Sequence, residues 1–138
     1  MRKRHLCAGC NKPLHGRSMV KYCSNRCQGL HRSNKAVANW LKGGKAVKGA
    51  MMVMKRGVRR YLIEQAGCKC QRCGWGKKHP VDGRYLLHIH HKDGKASNSK
   101  RSNLEVLCPN CHSMTENFGT RNKQSTRYKR FFVLRKPR

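Results

Sequence analysis

Three histidines fall within four positions in Leu87-His-Ile-His-His-Lys-Asp-Gly94, and a fourth, His112, directly follows the turn Cys108-Pro-Asn-Cys111. An imidazole near its ordinary pKa of about 6.5 can take a proton from water at neutral pH, and in neutral form it can ligate a divalent ion. An ion held by few protein ligands keeps open positions at which a phosphodiester can be polarised and its leaving oxygen stabilised. Asp93 is the one acid at the turn, so there is no acidic cage for two magnesium ions. One ion and a histidine base is the chemistry that these residue types suit.

The cysteines carry a second chemistry. Cys7-x2-Cys10 is followed by Cys23-x3-Cys27, and Cys70-x2-Cys73 by Cys108-x2-Cys111, which makes two sets of four. The ninth, Cys68, is read as a non-ligand because Gly74 favours a turn at Cys70 and Cys73. A two-residue spacing lets both sulfurs of a tight turn approach one ion at about 2.3 Å, and four thiolates close a structural zinc site. Such a site does no chemistry but contributes folding energy, about 10 to 16 kcal/mol of apparent binding free energy in zinc peptides. Two zinc ions per chain are expected, with His5, His15 and His31 as possible substitute ligands in the first quartet.

This chain needs such staples. Its 138 residues are 37% hydrophobic, and its mean hydropathy of −0.86 leaves little from which to build a large core. The basic start MRKRHLCAGC has no apolar run behind it, and no stretch approaches the eighteen or so residues of a membrane span. An intracellular, cytoplasmic protein is expected, in which thiols ligate metal in preference to forming disulfides. The 33 Lys and Arg against 5 Asp and Glu give a net charge of +28, which calls for a polyanionic partner.

The elements that must position these residues follow from pattern. Ser24 can cap a helix to about Leu41, with Leu30, Val37 and Leu41 on one stripe. A second helix is expected from about Lys55 to Ala66, with Val58, Leu62 and Ala66 four apart, Arg59 and Arg60 off that line, and Gly67 as its stop. Tyr85 to His91 reads as extended before a turn at Asp93-Gly94, and Pro109 as the first turn of a helix through Asn117, stopped at Gly119. Alternation along a strand pairs His88 with His90 on one face; bringing His90 and His91 into one site requires the strand to end or bulge there. Asn103, on its own, reads as a turn residue. The stretch Lys42 to Gly57, rich in glycine and with Met51, Met52 and Met54 clustered, reads as a linker whose methionines fill a gap against a helix. His79, beside Pro80, reads as an exposed loop residue.

From about Tyr61 to Phe118, the series GCKCQRCGW, HIHHKDG and NLEVLCPNCH resembles the HNH endonuclease family of the zinc-stapled ββα-metal type, phage-like or homing-endonuclease-like. The resemblance implies a small α+β metal-stabilised protein, with an N-terminal zinc finger joined to a treble-clef-like HNH domain. It implies that His90 and His112 hold the catalytic divalent ion, that His91 is the general base and that Asn103 holds the loop bearing the base. It assigns Cys70, Cys73, Cys108 and Cys111 to structural zinc and gives His88 no role. Where the family often has Asp, His90 shifts the expected ion among magnesium, manganese and nickel toward the softer ones.

The resulting organisation is a zinc-finger module with its helix at 1–41, a basic linker at 42–57, a nuclease domain at 58–119 and a basic tail at 120–138. Cys7, Cys10, Cys23 and Cys27 hold the zinc of the first module. The expected activity is hydrolysis of DNA phosphodiesters by a homing or phage-encoded enzyme, and the alternative is a non-catalytic zinc protein that binds DNA or RNA. Arg59, Arg60, Arg127, Lys129 and Arg130 are the candidate DNA contacts.

Overall fold

The computed structural model describes residues 5–14, 21–49 and 52–125. Arg127, Lys129, Arg130, His15 and Met51 lie outside the described residues. The element order is α1 (Asn25–Leu41), β1 (Val47–Lys48), β2 (Val53–Met54), α2 (Arg56–Gln65), β3 (His88–His91), β4 (Leu104–Leu107) and α3 (Pro109–Ser113), with 3-10 turns at Arg101–Asn103 and Gly119–Arg121. The result is a small α+β arrangement whose strands form two separate antiparallel pairs, β1 with β2 and β3 with β4.

Helix α1 starts where its cap dictates: Ser24 Oγ accepts from Cys27 N at 3.2 Å. Its buried residue is Trp40, 5% exposed, whereas Leu41 is 57% exposed. The expected stripe is thus corrected by rotation of the helix about its axis, which turns Trp40 inward, where its indole N–H donates to Ser99 O at 2.6 Å. The neighbouring Val37 packs against the same core.

Helix α2 follows its pattern closely. Val58 and Leu62 are fully buried and Ala66 packs against the core. The helix ends as its glycine requires: Gly67 takes φ +63, its N–H bonds Glu64 O, and Cys68 N–H bonds Ile63 O. The two helices approach to backbone contact at Gly57, where a Cβ would lie 2.5 Å from Ser33 O.

The stretch expected to be a linker carries the ribbon of β1 and β2. Ala46 within it is fully buried in the core with Trp40, Leu62, Leu87 and Leu107, and Met54 packs against that cluster. Each of the fully buried leucines contributes roughly 1.5 to 3 kcal/mol.

Two further expectations are corrected. The extended run expected from Tyr85 becomes strand only at His88, because Tyr85 bridges Lys78 and Leu86 N–H bonds Lys77 O, which draws residues 85–86 away from β4. Helix α3 ends at Ser113 and not at Asn117, because both the N–H and the hydroxyl of the buried Thr115 bond His112 O.

Candidate active site and cysteine quartets

The strand bearing the histidine cluster pairs with β4 in regular register, His88 opposite Leu107, His90 opposite Glu105 and His91 opposite Leu104. Two attachments fix this pair. Arg59 Nη2 donates to Leu87 O at 2.6 Å, tying α2 to the residue before β3. On the other edge, Gln71 N–H bonds Val106 O at 2.9 Å and Gln71 Oε1 accepts from Val106 N at 2.7 Å. The Cys70–Cys73 turn is thereby docked on β4, and Cys108 ends that strand and begins α3.

Helix α3 delivers His112 to the histidines of β3. Its ring centroid lies 5.2 Å from that of His88 and 5.4 Å from that of His90, with His88 Nδ1 3.1 Å from His112 Nδ1. Phe118 closes the group with an edge contact to His112 at 5.2 Å. His88 and His90 thus share a neighbour, as strand alternation requires, and no bulge interrupts the register. His90, His91 and His112 nevertheless line one cavity of about 300 Å³, together with Asn117 and Phe118.

Burial lowers the pKa of His90, opposed by the charge of Glu105 and helped by Arg72 and Lys92. His112 is pushed down to about 4, first by burial and then by His88 and His90. Neutral imidazoles at these positions have the lone pairs that metal ligation needs. Two imidazoles that reach one ion at about 2.1 Å place their ring centres roughly 5 Å apart, so the His90–His112 spacing suits a shared divalent ion.

Asn103 is tied to the loop that follows His91. Its Oδ1 accepts from Asp93 N at 3.0 Å, and its Nδ2 donates to Asp93 Oδ1 at 2.8 Å and to Asn98 O at 2.9 Å. Its carbonyl accepts from Lys92 N at 2.9 Å. Burial works upward on the Asp93 carboxyl, but hydrogen bonds from Asn98, Lys95 N and Asn103 prevail and hold its pKa below the ordinary value.

Two residues that sequence reasoning missed brace the same loop. Asn117 Nδ2 donates to Lys92 O at 2.8 Å and Asn122 Nδ2 to Gly94 O at 2.9 Å. Neither type nor spacing marks them, because an amide that bonds a distant carbonyl has no local pattern. Of the candidate DNA contacts, Arg59 is occupied by Leu87 O, and Arg60 is exposed beside Glu64 at 3.6 Å.

Among the described residues, the groups of three or more His, Cys, Asp or Glu whose ligand atoms lie within 4.8 Å of one another are the two expected quartets, Cys7, Cys10, Cys23, Cys27 and Cys70, Cys73, Cys108, Cys111. Sulfur separations of 3.6 Å between Cys10 and Cys23 and 3.7 Å between Cys73 and Cys108 approach the roughly 3.8 Å edge of a tetrahedron with zinc–sulfur bonds of about 2.3 Å. Backbone N–H groups, that of Cys23 foremost, bring Cys7 down to about 6, while Cys27 pushes its neighbour Cys23 up to about 12. In the second quartet burial works upward on Cys70, yet the N–H groups of Cys108, Cys73 and Arg72 bring it down to about 6, while Cys73 pushes Cys111 up to about 12. Thiols so crowded cannot all ionise without a cation to share, and the donor sets fit zinc. Cys68 belongs to neither quartet.

Residues 70–118, about a third of the chain, match the HNH endonuclease family. Among curated proteins, the H-N-H endonuclease F-TflIV of Escherichia phage T5 is 39% identical over 57 residues, which cover 39% of this chain and 23% of that protein. No solved structure matches the chain. Both cysteine pairs of the second quartet, the β3–β4–α3 unit and the cavity histidines His90, His91 and His112 fall within the segment that matches the HNH endonuclease family.

Proposed function

We propose that the protein is a metal-dependent DNA endonuclease that hydrolyses phosphodiester bonds with a single catalytic ion and a histidine base. The observation that carries this reading is the common cavity of His90, His91 and His112 inside the HNH domain. His90 and His112 would hold the ion, magnesium, manganese or nickel. When bound, the ion supplies electrophilic stabilisation of the phosphodiester and its departing oxygen.

His91 accepts the proton of the attacking water on its imidazole. Asn103 fixes the loop that leaves His91, and His88 restrains the His112 ring through the 3.1 Å contact. Both Cys quartets would hold structural zinc, the second in a treble-clef-like setting. No helix of the described residues is long and apolar enough to cross a membrane, and the phage relative supports a phage-type nuclease acting in the host cytoplasm.

The test is incubation of purified wild type and His91→Ala with supercoiled plasmid, without added metal and then with magnesium, manganese or nickel. Wild type is expected to nick or linearise the plasmid in a metal-dependent manner, and His91→Ala to lose about 10² to 10⁴ in rate while binding DNA as before. Equal cleavage by both proteins removes His91 from its role. Tight binding by wild type without cleavage in any metal favours the non-catalytic nucleic-acid-binding reading.

A further inference from the structure

The acids of this chain are few, and three of the five are engaged away from α1 and α2. Asp93 is held by Asn98 and Asn103, Glu105 by Arg72, and Asp82 lies beside Arg84. Where α1 crosses α2, a groove of about 680 Å³ is lined by Arg26 and Arg32 of α1, Lys48 of β1, Lys55, and Arg56 and Arg60 of α2. No carboxylate lines it. Of the six cations, Arg60 has an acid within ion-pair distance among the described residues, Glu64 at 3.6 Å, and the other five have none. Cations gathered from three elements without counter-charge repel one another, and an anion in the groove relieves that repulsion.

Gly29 adds a second observation. It is an exposed residue in the body of α1 that lines the same groove, and the position a Cβ would take has no atom within 4 Å. A glycine inside a helix weakens it relative to alanine. Gly57, at the crossing, is accounted for by its contact with Ser33, whereas nothing within the described protein claims the space beside Gly29. That space admits close approach by an atom from outside. An open channel with cations from successive turns and strands suits a ligand whose charges repeat along a chain.

We propose that this groove seats the sugar-phosphate backbone of duplex DNA, which approaches α1 most closely at Gly29. The choice of DNA as the polyanion rests on the nuclease reading above. The groove is lined by residues from Arg26 to Arg60 and shares none with the histidine cavity, so it would hold DNA outside that cavity. Contacts to phosphate position a duplex without reading its sequence.

The test is fluorescence anisotropy of the full chain with a short labelled DNA duplex, in a salt series without added divalent metal so that no cleavage intervenes. Arg26→Gln/Arg32→Gln/Arg56→Gln is expected to weaken binding about tenfold or more and to flatten the slope of log K against log salt by about 2 to 3, near 0.9 for each phosphate no longer neutralised. Gly29→Glu, which enters open space, is expected to weaken binding with circular dichroism unchanged. A control with the same charge removed outside the groove, Lys42→Gln/Lys69→Gln/Lys77→Gln, is expected to move the slope less than half as far. Equal weakening in control and groove variants assigns the effect to net charge and overturns the proposal, as does an unchanged slope in the triple variant. Tighter groove-dependent binding of an equivalent RNA duplex overturns the choice of DNA. A wild type that cleaves nothing, with groove variants that still bind DNA poorly, sinks the nuclease reading and leaves the groove standing.

Discussion

The two Cys quartets begin with the same turn and serve different ends. In the first, Asn11 N–H bonds Cys7 O at 2.8 Å with Asn11 at φ 57; in the second, Gly74 N–H bonds Cys70 O at 2.9 Å with Gly74 at φ 74. Each then hands its last cysteine to a helix, α1 or α3. The surroundings differ. Cys7 is buried in the first quartet, while Cys10 and Cys23 are exposed. The second rests on a core of Leu62, Leu87, Val106 and Leu107, and its helix carries His112 to the histidines of β3. The same staple therefore makes a fold in one place and aims a side chain in the other.

Breaking the two staples separately gives the largest effects. Cys111→Ser is expected to remove one of two zinc ions, to cost several kcal/mol and to abolish both the cooperative melt of the HNH domain and cleavage. Cys23→Ser is expected to remove the other ion while leaving the domain's melt in place. Zinc analysis with calorimetry separates the two, and a Cys111→Ser protein that melts like wild type would equate the staples. Next in size, Leu107→Ala is expected to cost about 2 to 5 kcal/mol, measured by denaturant unfolding, because Leu107, the last residue of β4 and the neighbour of Cys108, is fully buried.

Asn103→Ala sharpens the contrast within the site. It removes an acceptor from Asp93 N and donors from Asp93 and Asn98. A stability loss of about 1 to 3 kcal/mol is expected with a larger proportional loss of cleavage than of DNA binding; equal losses would make the residue purely structural.

The smallest effect concerns the docked turn. Arg72 pairs with Glu105 at 2.9 Å, and that hydrogen bond holds Glu105 below its ordinary value of 4.5. A depressed carboxylate contributes stability above its unfolded pKa and loses it as pH falls through the folded one. Arg72→Gln should therefore cost about 0.2 to 1 kcal/mol at neutral pH, and the difference from wild type should vanish in acid below the folded pKa of Glu105.

What could be read from the sequence was whatever repeats locally. Ser24 as cap, the 58/62/66 stripe, Gly67 as stop and both quartets are written in spacings of a few residues, and they stand as expected. What escaped depends on tertiary partners. Trp40 turns inward because Ser99 and the core receive it. Val47–Lys48 pairs with Val53–Met54 beside Ala46, which has a core to enter. At the site, His88 and His90 share a face as alternation demanded, but that His112 would meet both depended on where α3 folds back. The bracing by Asn117 and Asn122 had no periodic signal at all.

The attachment of Gln71 to Val106 has one more consequence. A two-stranded sheet exposes two edges, and an open edge is a template on which another chain can add a strand. Gln71 occupies both the N–H and the C=O of Val106, so the middle of β4 is already paired on its second edge. The Cys70–Cys73 turn thereby guards β4 against intermolecular strand addition, and loosening of that turn would uncover an edge open to aggregation.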